Sequence, residues 1–382
     1  MKALDSMSIG IVGAGIGGLA VAAALRRFGS EPILFEQAAA FARIGAGIQQ
    51  SPNAVRVHRG LGIEERLRQT SFRPATSLNR DAYTGDVTND HPLGAVIEDR
   101  YGAPYLTLHR GDLHAALASL VPTSSIRFGH KLVSVTQSED RVQLAFENGA
   151  SVEVDLLIGA DGVHSLARDH VAGPTAARFT GRLAYRTTFP ATRLAVDIGA
   201  SRTKWWGKDR HIVIYYVTAA RDEVYFVTSQ PEAADWITRE SWTMRGDLGE
   251  LQAAFSGFHA EVRGVLAAAP EVHKWGIFER DPLPTWIRGR VVLLGDACHP
   301  MTPYMASGAS MALEDAVVLA RALSSDVTLP AALALYESVR KPRASAVQAG
   351  SSANTWMRDA TNPDWLFGYD AWAVPLTPGG VA

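Results

Sequence analysis

The stretch Ile9-Gly10-Ile11-Val12-Gly13-Ala14-Gly15-Ile16-Gly17-Gly18 decides how the rest of this chain is read. The run Ile9–Val12 predicts a short buried strand, and the Ala-rich residues 19–28 predict a helix. Between them stands G-x-G-x-x-G. Gly13 permits the tight turn, Gly15 lets backbone approach a pyrophosphate, and Gly18 lets helix and strand pack closely. The helix N-terminus then presents free N–H groups and a partial positive charge to an anion. Residues 32–36 read as a second strand, closed by Glu36 at the fingerprint's spacing. An acid there accepts from ribose hydroxyls and repels a 2′-phosphate. The unit is a dinucleotide fold, and by itself it serves NAD and FAD equally.

Working outward, residues 111–119 look helical. Strands are expected near 124–128, 132–137, 141–147 and 151–158. From about residue 173 to 275 the chain turns β-branched and aromatic, as in 211–217 and 223–228, with antiparallel strand spacing. A strand at 291–294 leads into Gly295-Asp296. Helices follow at 310–324 and 329–353, the second with a break or cap near Pro342. The expected fold is α/β: a Rossmann-like nucleotide domain (1–172 and 276–382, including C-terminal helices) interrupted by a β-sheet substrate domain (173–275). There is no internal repeat or low-complexity stretch.

The composition is that of a soluble globular protein, with 382 residues, 47% hydrophobic, 20% charged and a formal net charge of -2. No block of like charge points to nucleic acid or an anionic membrane. The first apolar run is too short for a signal-peptide core or a membrane span. Cys298 stands alone, which fits a reducing, cytoplasmic setting. No second cysteine or paired histidines accompany Cys298-His299, so no metal site is expected. A homodimer is left open.

Two further elements lie at strand exits, where open α/β sheets gather ligands. One is the apolar strand ending in Ala160-Asp161-Gly162, with Arg168 after it. The other is Gly295-Asp296-Ala297-Cys298-His299-Pro300, with Gly308 ahead of a helix. An Asp at such an exit can hold a ribitol hydroxyl. A helix N-terminus after Gly308 can face the edge of a flavin that gains negative charge on reduction.

In this order the elements resemble the single-component (class A) flavoprotein monooxygenases, the aromatic hydroxylases. The resemblance spans nearly the whole chain. Residues 43–48, 105–114, Lys204-Trp205-Trp206, 209–216, 295–301, 353–356 and 367–370 are similar to the branch acting on 6-hydroxynicotinate. The salicylate-hydroxylating branch is more distant. The resemblance implies non-covalent FAD, NADH as a transient donor, and molecular oxygen activated as a C4a-hydroperoxyflavin. The substrate it implies is a small hydroxy- or amino-substituted aromatic or pyridine acid, 6-hydroxynicotinate-like. Carbon dioxide leaves when the attacked carbon bears the carboxylate. The cofactor positions it implies are Gly13, Gly15, Gly18, Glu36, Gln37, Gln49, Arg110, Leu132, Asp161, Asp296, Pro303, Gly308, Ala309 and Ser310.

A base that deprotonates a ring hydroxyl makes the ring electron-rich for attack. His211, Tyr215 and His299 are candidates. The resemblance places His211 and Tyr215 at active-site positions, and in a strand His211, Val213 and Tyr215 share one side. Core packing for Tyr215 and a turn role for His211 are the competing readings. Three departures bear on the substrate. Gln49 stands where the branch has a histidine base, Arg202 where it has a cysteine, and Tyr304 where it has a histidine. Gln49 can orient ligands but not take a proton. Arg202 either grips a carboxylate or lies on the surface, and Tyr304 donates to a hydroxyl or stacks. Trp205-Trp206 and Tyr185-Arg186 read equally as pocket wall or packing. A tailoring monooxygenase for a larger metabolite, a non-catalytic flavin binder and an NAD-dependent dehydrogenase are the rival functions.

Overall fold

A computed structural model describes residues 4–43, 46–233, 244–356, 358 and 361–377. Six short strands form one sheet in the order Ile287–Arg288, Val291–Leu293, Leu156–Gly159, Ile9–Val12, Ile33–Phe35, Ile126–Arg127. All neighbours run parallel except the Ile287–Arg288 edge. The helix Ile16–Arg27 returns across this sheet with Leu19 through Leu25 fully covered. Its small side chains let a second helix, Gly308–Leu323, lie against it. A Cβ added at Gly17 would come within 2.5 Å of Leu294 and 3.3 Å of Ala312. Each large aliphatic side chain buried here contributes about 1.5–3 kcal/mol.

The segment expected as one strand over 151–158 is two. Ser151–Val154 belongs to a three-stranded antiparallel sheet with Val142–Phe146 and Leu132–Gln137. Leu156–Gly159 enters the parallel sheet instead. Asp155 makes the switch, its carboxylate accepting from Ser8 N and Oγ and pairing with Arg141. The helix Leu329–Ala353 runs through Pro342 without the expected break. Proline removes one backbone donor there, but Arg340, Ala344 and Val347 on either side are fully buried, and their packing outweighs the lost bond.

The large sheet has eight strands, in the order Arg245–Gly246, Val272–Glu279, Arg178–Pro190, Glu223–Pro231, His211–Tyr216, Arg202–Trp206, Thr76–Asp81, Val87–Pro92. Its last two strands come from within 1–172, and Val272–Glu279 runs past residue 275. The sheet therefore does not respect the expected boundaries. Thr76–Asp81 carries mostly polar side chains, so it has no hydrophobic alternation to reveal it. It is recruited by parallel pairing with Arg202–Trp206.

One face of this sheet packs Tyr185, Trp205, Ile212, Ile214 and Phe226 against helices Leu248–Ala254 and Ala260–Ala268. The opposite face is free to line a site. A ribbon of Gly47–Gln50 paired with Leu106–His109 lies over it, tied down by Thr107 Oγ1 donating to Tyr216 O at 2.8 Å. Among the described residues no helix is long and apolar enough to cross a membrane.

Candidate active site

The glycine loop forms as expected. Gly13 sits at φ +95°, and a Cβ there would meet Ala160 O at 2.3 Å. A Cβ on Gly18 would meet Gly13 O at 1.9 Å, whereas one on Gly15 would meet nothing within 4 Å. Gly13 and Gly18 are therefore required by the turn and by helix–strand contact. Gly15 borders open space, at the point where a pyrophosphate would approach the N-terminus of helix Ile16–Arg27. The loop fits the diphosphate of FAD by this test.

Glu36 accepts Ala14 N through one oxygen at 3.0 Å and Ala38 N through the other at 2.8 Å. Each oxygen keeps a lone pair for a ribose hydroxyl. Gln37 beside it is exposed. His114 pins the helix Arg110–Ala118 to the loop through Ala14 O at 2.8 Å. Arg110, first in that helix, opens to solvent within charge range of His114, Asp296 and Arg186. Leu132 is buried at the start of its strand.

Asp161 departs from the ribitol expectation. Its carboxylate accepts from Ser165 Oγ, Leu166 N and Ala167 N, so it caps the helix Leu166–Ala172. What the element presents to the loop is backbone, since Ala160 O and Asp161 Cα lie against Gly13.

Gly295, at φ +63°, turns Asp296 outward to the groove, where it is exposed. Pro303 starts a short turn, and Ala306 holds a left-handed φ of +52° just before helix Gly308–Leu323. That conformation costs a non-glycine residue about 1 kcal/mol. It aims the first turn of the helix, Gly308, Ala309 and Ser310, past Asp296. A Cβ on Gly308 would lie 3.9 Å from the Asp296 carboxylate. Ser310 Oγ is buried without a hydrogen-bond partner among the described residues.

His299 is not a free base. Its Nε2 lies 2.5 Å from Asp315, whose carboxylate also accepts Gly295 N and pairs with Arg340. Cys298, His299 and Asp315 bring three potential ligand atoms within 4.8 Å. Each is already engaged, the Cys298 thiol with Gly295 O, and burial pushes that thiol well up and away from the thiolate a metal needs.

The site face of the large sheet follows from register. Cross-strand partners point the same way. Arg202, Lys204 and Trp206 stand with Ser77, Asn79 and Asp81 on one neighbouring strand, and with Tyr215, Val213 and His211 on the other. Tyr225, Val227 and Ser229 follow. His211 is buried 5.7 Å from the Tyr304 ring and 5.1 Å from that of Trp206. Burial lowers its pKa well below the usual value, and Lys204, Arg182 and Arg202 push the same way, so its imidazole is neutral.

Tyr215 is also buried, and burial drives its phenol well above the usual range. At neutral pH it is a donor, and a base role does not suit it. Gln49 is its partner and also accepts Tyr105 OH at 2.6 Å. Gly47 lets the ribbon approach, since a Cβ there would meet the Tyr225 ring at 2.5 Å and Tyr215 OH at 2.9 Å. Tyr304 is bonded to Ser229 Oγ at 3.1 Å as well as packed on His211.

Arg202 is buried, not on the surface. Its strand is interior to the sheet, and its side chain faces Tyr105 and Tyr215 with one bond to Ser77 Oγ at 2.9 Å. Trp205 is core on the far face, while Trp206 lines the site. Tyr185 likewise turns to the core. Arg186 faces the site and lies 4.7 Å from the Trp275 ring. Sequence reasoning missed Lys204, Arg182, Tyr105 and Asn354. Alternation from Arg202 could have found Lys204, but the others are brought in by tertiary packing.

A glycine-loop groove opening onto an enclosed aromatic and cationic sheet face defines a flavin-dependent aromatic hydroxylase. The chain belongs to the family described as FAD binding domain, matched over residues 6–351. It is 45% identical to the 6-hydroxynicotinate 3-monooxygenase of Bordetella bronchiseptica (strain ATCC BAA-588 / NCTC 13252 / RB50), over 97% of each chain. It is 40% identical to the 3-amino-4-hydroxybenzoate 2-monooxygenase of Streptomyces cremeus, over 89% of this chain and 84% of that one. A salicylate hydroxylase substrate complex superposes with a TM-score of 0.82 at 25% identity, covering 96% of both chains. The protein is an FAD-dependent aromatic monooxygenase.

Proposed function

We propose that the protein hydroxylates a small hydroxy- or amino-substituted aromatic or pyridine carboxylic acid, of the 6-hydroxynicotinate kind, with NADH as donor. Carbon dioxide is released where the attacked carbon carries the carboxylate. The observation that carries this reading is Arg202, a buried guanidinium with no carboxylate partner among the described residues, set among Tyr105, Tyr215 and Gln49 beside a neutral histidine. An uncompensated buried cation calls for an anion, and aromatic walls call for a ring.

Bound in the groove, FAD would supply the redox chemistry that activates molecular oxygen. The chain's own residues do the rest. Gly13, Gly15, Gly18, Glu36, Gln37, Arg110, Leu132, the Asp161 backbone and Asp296, with Pro303, Gly308, Ala309 and Ser310, form the cofactor groove. Arg202 holds the substrate carboxylate. His211, being unprotonated, accepts a proton from the ring substituent. An anion bound at Arg202 offsets the cations that weaken it as a base. Tyr215 donates to the substrate while Gln49 orients it, and Tyr304 keeps the His211 ring in place.

Purified holoprotein is expected to oxidise NADH faster with 6-hydroxynicotinate, 3-amino-4-hydroxybenzoate, salicylate or 4-hydroxybenzoate, and to form a hydroxylated product. If FAD is bound and no acid of the panel stimulates NADH oxidation, the reading is wrong. Tyr215→Phe removes one donor, about 1–1.5 kcal/mol, so turnover should fall roughly tenfold with little change in substrate affinity. Unchanged turnover would remove Tyr215 from the chemistry.

A further inference from the structure

Arg202 is not the only cation enclosed beneath the ribbon. Lys204, two residues along the same strand, shares its face and is 3% exposed. No carboxylate lies within ion-pairing distance of either residue among the described residues; the charged groups acting on Lys204 are Arg202, Arg358 and Arg182. Its ammonium sits 3.7 Å from the Trp206 ring centre, with one long contact of 3.4 Å to Asn354 Oδ1. Around it stand Asn79 on one neighbouring strand, and Val213 and His211 on the other. The Arg358 guanidinium lies 5.2 Å from the Trp206 ring.

Among the described residues the one carboxylate on this face of the neighbouring strand is Asp81, opposite Trp206, and it accepts from Tyr83 N and Thr84 N instead of pairing with either cation. Most buried charges elsewhere among the described residues are matched. Arg340 meets Glu314 and Asp315, and Arg141 meets Asp155. Burying a lysine as a second charge beside an arginine destabilises a fold unless an anion arrives. Packing gives no reason for it, since methionine would fill the same volume without the charge.

We propose that Lys204 is a substrate-recognition residue, the second half of a two-cation receptor with Arg202 that selects an aromatic carboxylate over its uncharged analogues. This rests on the aromatic-acid reading above. In the free protein burial, with Arg202, Arg358 and Arg182 pushing the same way, holds the lysine well below its usual pKa. A bound carboxylate raises it again and favours the ammonium. Binding therefore takes up a proton from solvent, and the two cations grip the two carboxylate oxygens in charge-assisted hydrogen bonds.

The probes are 6-hydroxynicotinate, 3-amino-4-hydroxybenzoate and salicylate, each beside its carboxamide. Their binding to the holoprotein is read from the perturbed flavin absorbance in the absence of NADH. Lys204→Met should weaken the carboxylates by about tenfold or more and leave the carboxamides unchanged. Lys204→Arg should restore most of the carboxylate affinity. Calorimetry in two buffers of different ionisation enthalpy should show proton uptake by the wild type and less by Lys204→Arg, whose guanidinium is already charged. Equal carboxylate affinity in wild type and Lys204→Met overturns the proposal and leaves the aromatic-acid reading standing. So does an equal loss for acids and amides, which marks a packing role. If Lys204→Met does not hold FAD, calorimetry decides, and identical proton uptake in wild type and Lys204→Arg overturns the proposal. If no acid perturbs the wild-type flavin, the aromatic-acid reading and this inference fall together.

Discussion

Arg340→Met is expected to lower stability by about 3–5 kcal/mol, the usual result of removing one partner from a buried ion pair. That is a large share of the 5–15 kcal/mol typical of a folded domain. Arg340 is fully enclosed, with Glu314 at 2.6 Å and Asp315 at 2.8 Å, both also fully enclosed. Methionine matches the arginine stem but leaves these carboxylates with Arg343, Asn53, His299 and the Gly295 N–H. The network joins helix Gly308–Leu323 to helix Leu329–Ala353 and, through Asp315, to Gly295 and His299, so FAD retention should fall with stability.

The measurement is the urea midpoint of holoprotein and apoprotein. An unchanged midpoint would show that the network contributes nothing. Adding Glu314→Gln and Asp315→Asn to Arg340→Met should recover part of the loss, because the damage comes from uncompensated charge. The same groups set the acid limit. Burial pushes both carboxyls up, but Arg343 and Arg340 beside Glu314, and His299 and Arg340 beside Asp315, outweigh it and hold them below their ordinary range. A depressed native pKa contributes stability that is complete above the ordinary carboxylate range near ~4. It is lost as the pH falls through the native values. Wild type should therefore lose stability below about pH 4 more steeply than Arg340→Met.

Gly15→Val should abolish FAD retention while leaving the apoprotein folded. Gly15 has extended backbone (φ -74°, ψ -171°) that any residue adopts, and its missing Cβ points into open space. A Cβ there has nothing within 4 Å, and a branched side chain built on it fills the approach to the helix N-terminus. Affinity for FAD should drop at least about a hundredfold, or roughly 2.8 kcal/mol. Gly13→Ala and Gly18→Ala should instead damage the fold, because their added carbons strike backbone oxygens at 2.3 and 1.9 Å. Flavin content and far-ultraviolet circular dichroism separate the outcomes. A Gly15→Val protein as yellow as wild type would show that the diphosphate lies elsewhere.

These two variants divide what each level of description determines. The cofactor loop was legible because its chemistry is local. Gly13, Gly15 and Gly18 act through backbone turn, close approach and helix contact within one strand–turn–helix, and short-range sterics leave that reading little freedom. The helix over 308–323 and the alternation of His211, Val213 and Tyr215 were legible for the same reason, since a regular repeat writes its period into sequence.

What the sequence left open was set by partners far along the chain. Ser77 and Asn79 reach the site through strand pairing that no local pattern signals. Asp161 spends its carboxylate on a helix start, and His299 is held by a residue 16 positions on. Arg202, which sequence alone left between surface and site, became a buried cation because its strand is interior to the sheet. Burial and charge pairing are sums over neighbours in space. Only the folded chain therefore decided that Arg202 and Lys204 share one buried face of the sheet, with no carboxylate in ion-pairing distance among the described residues.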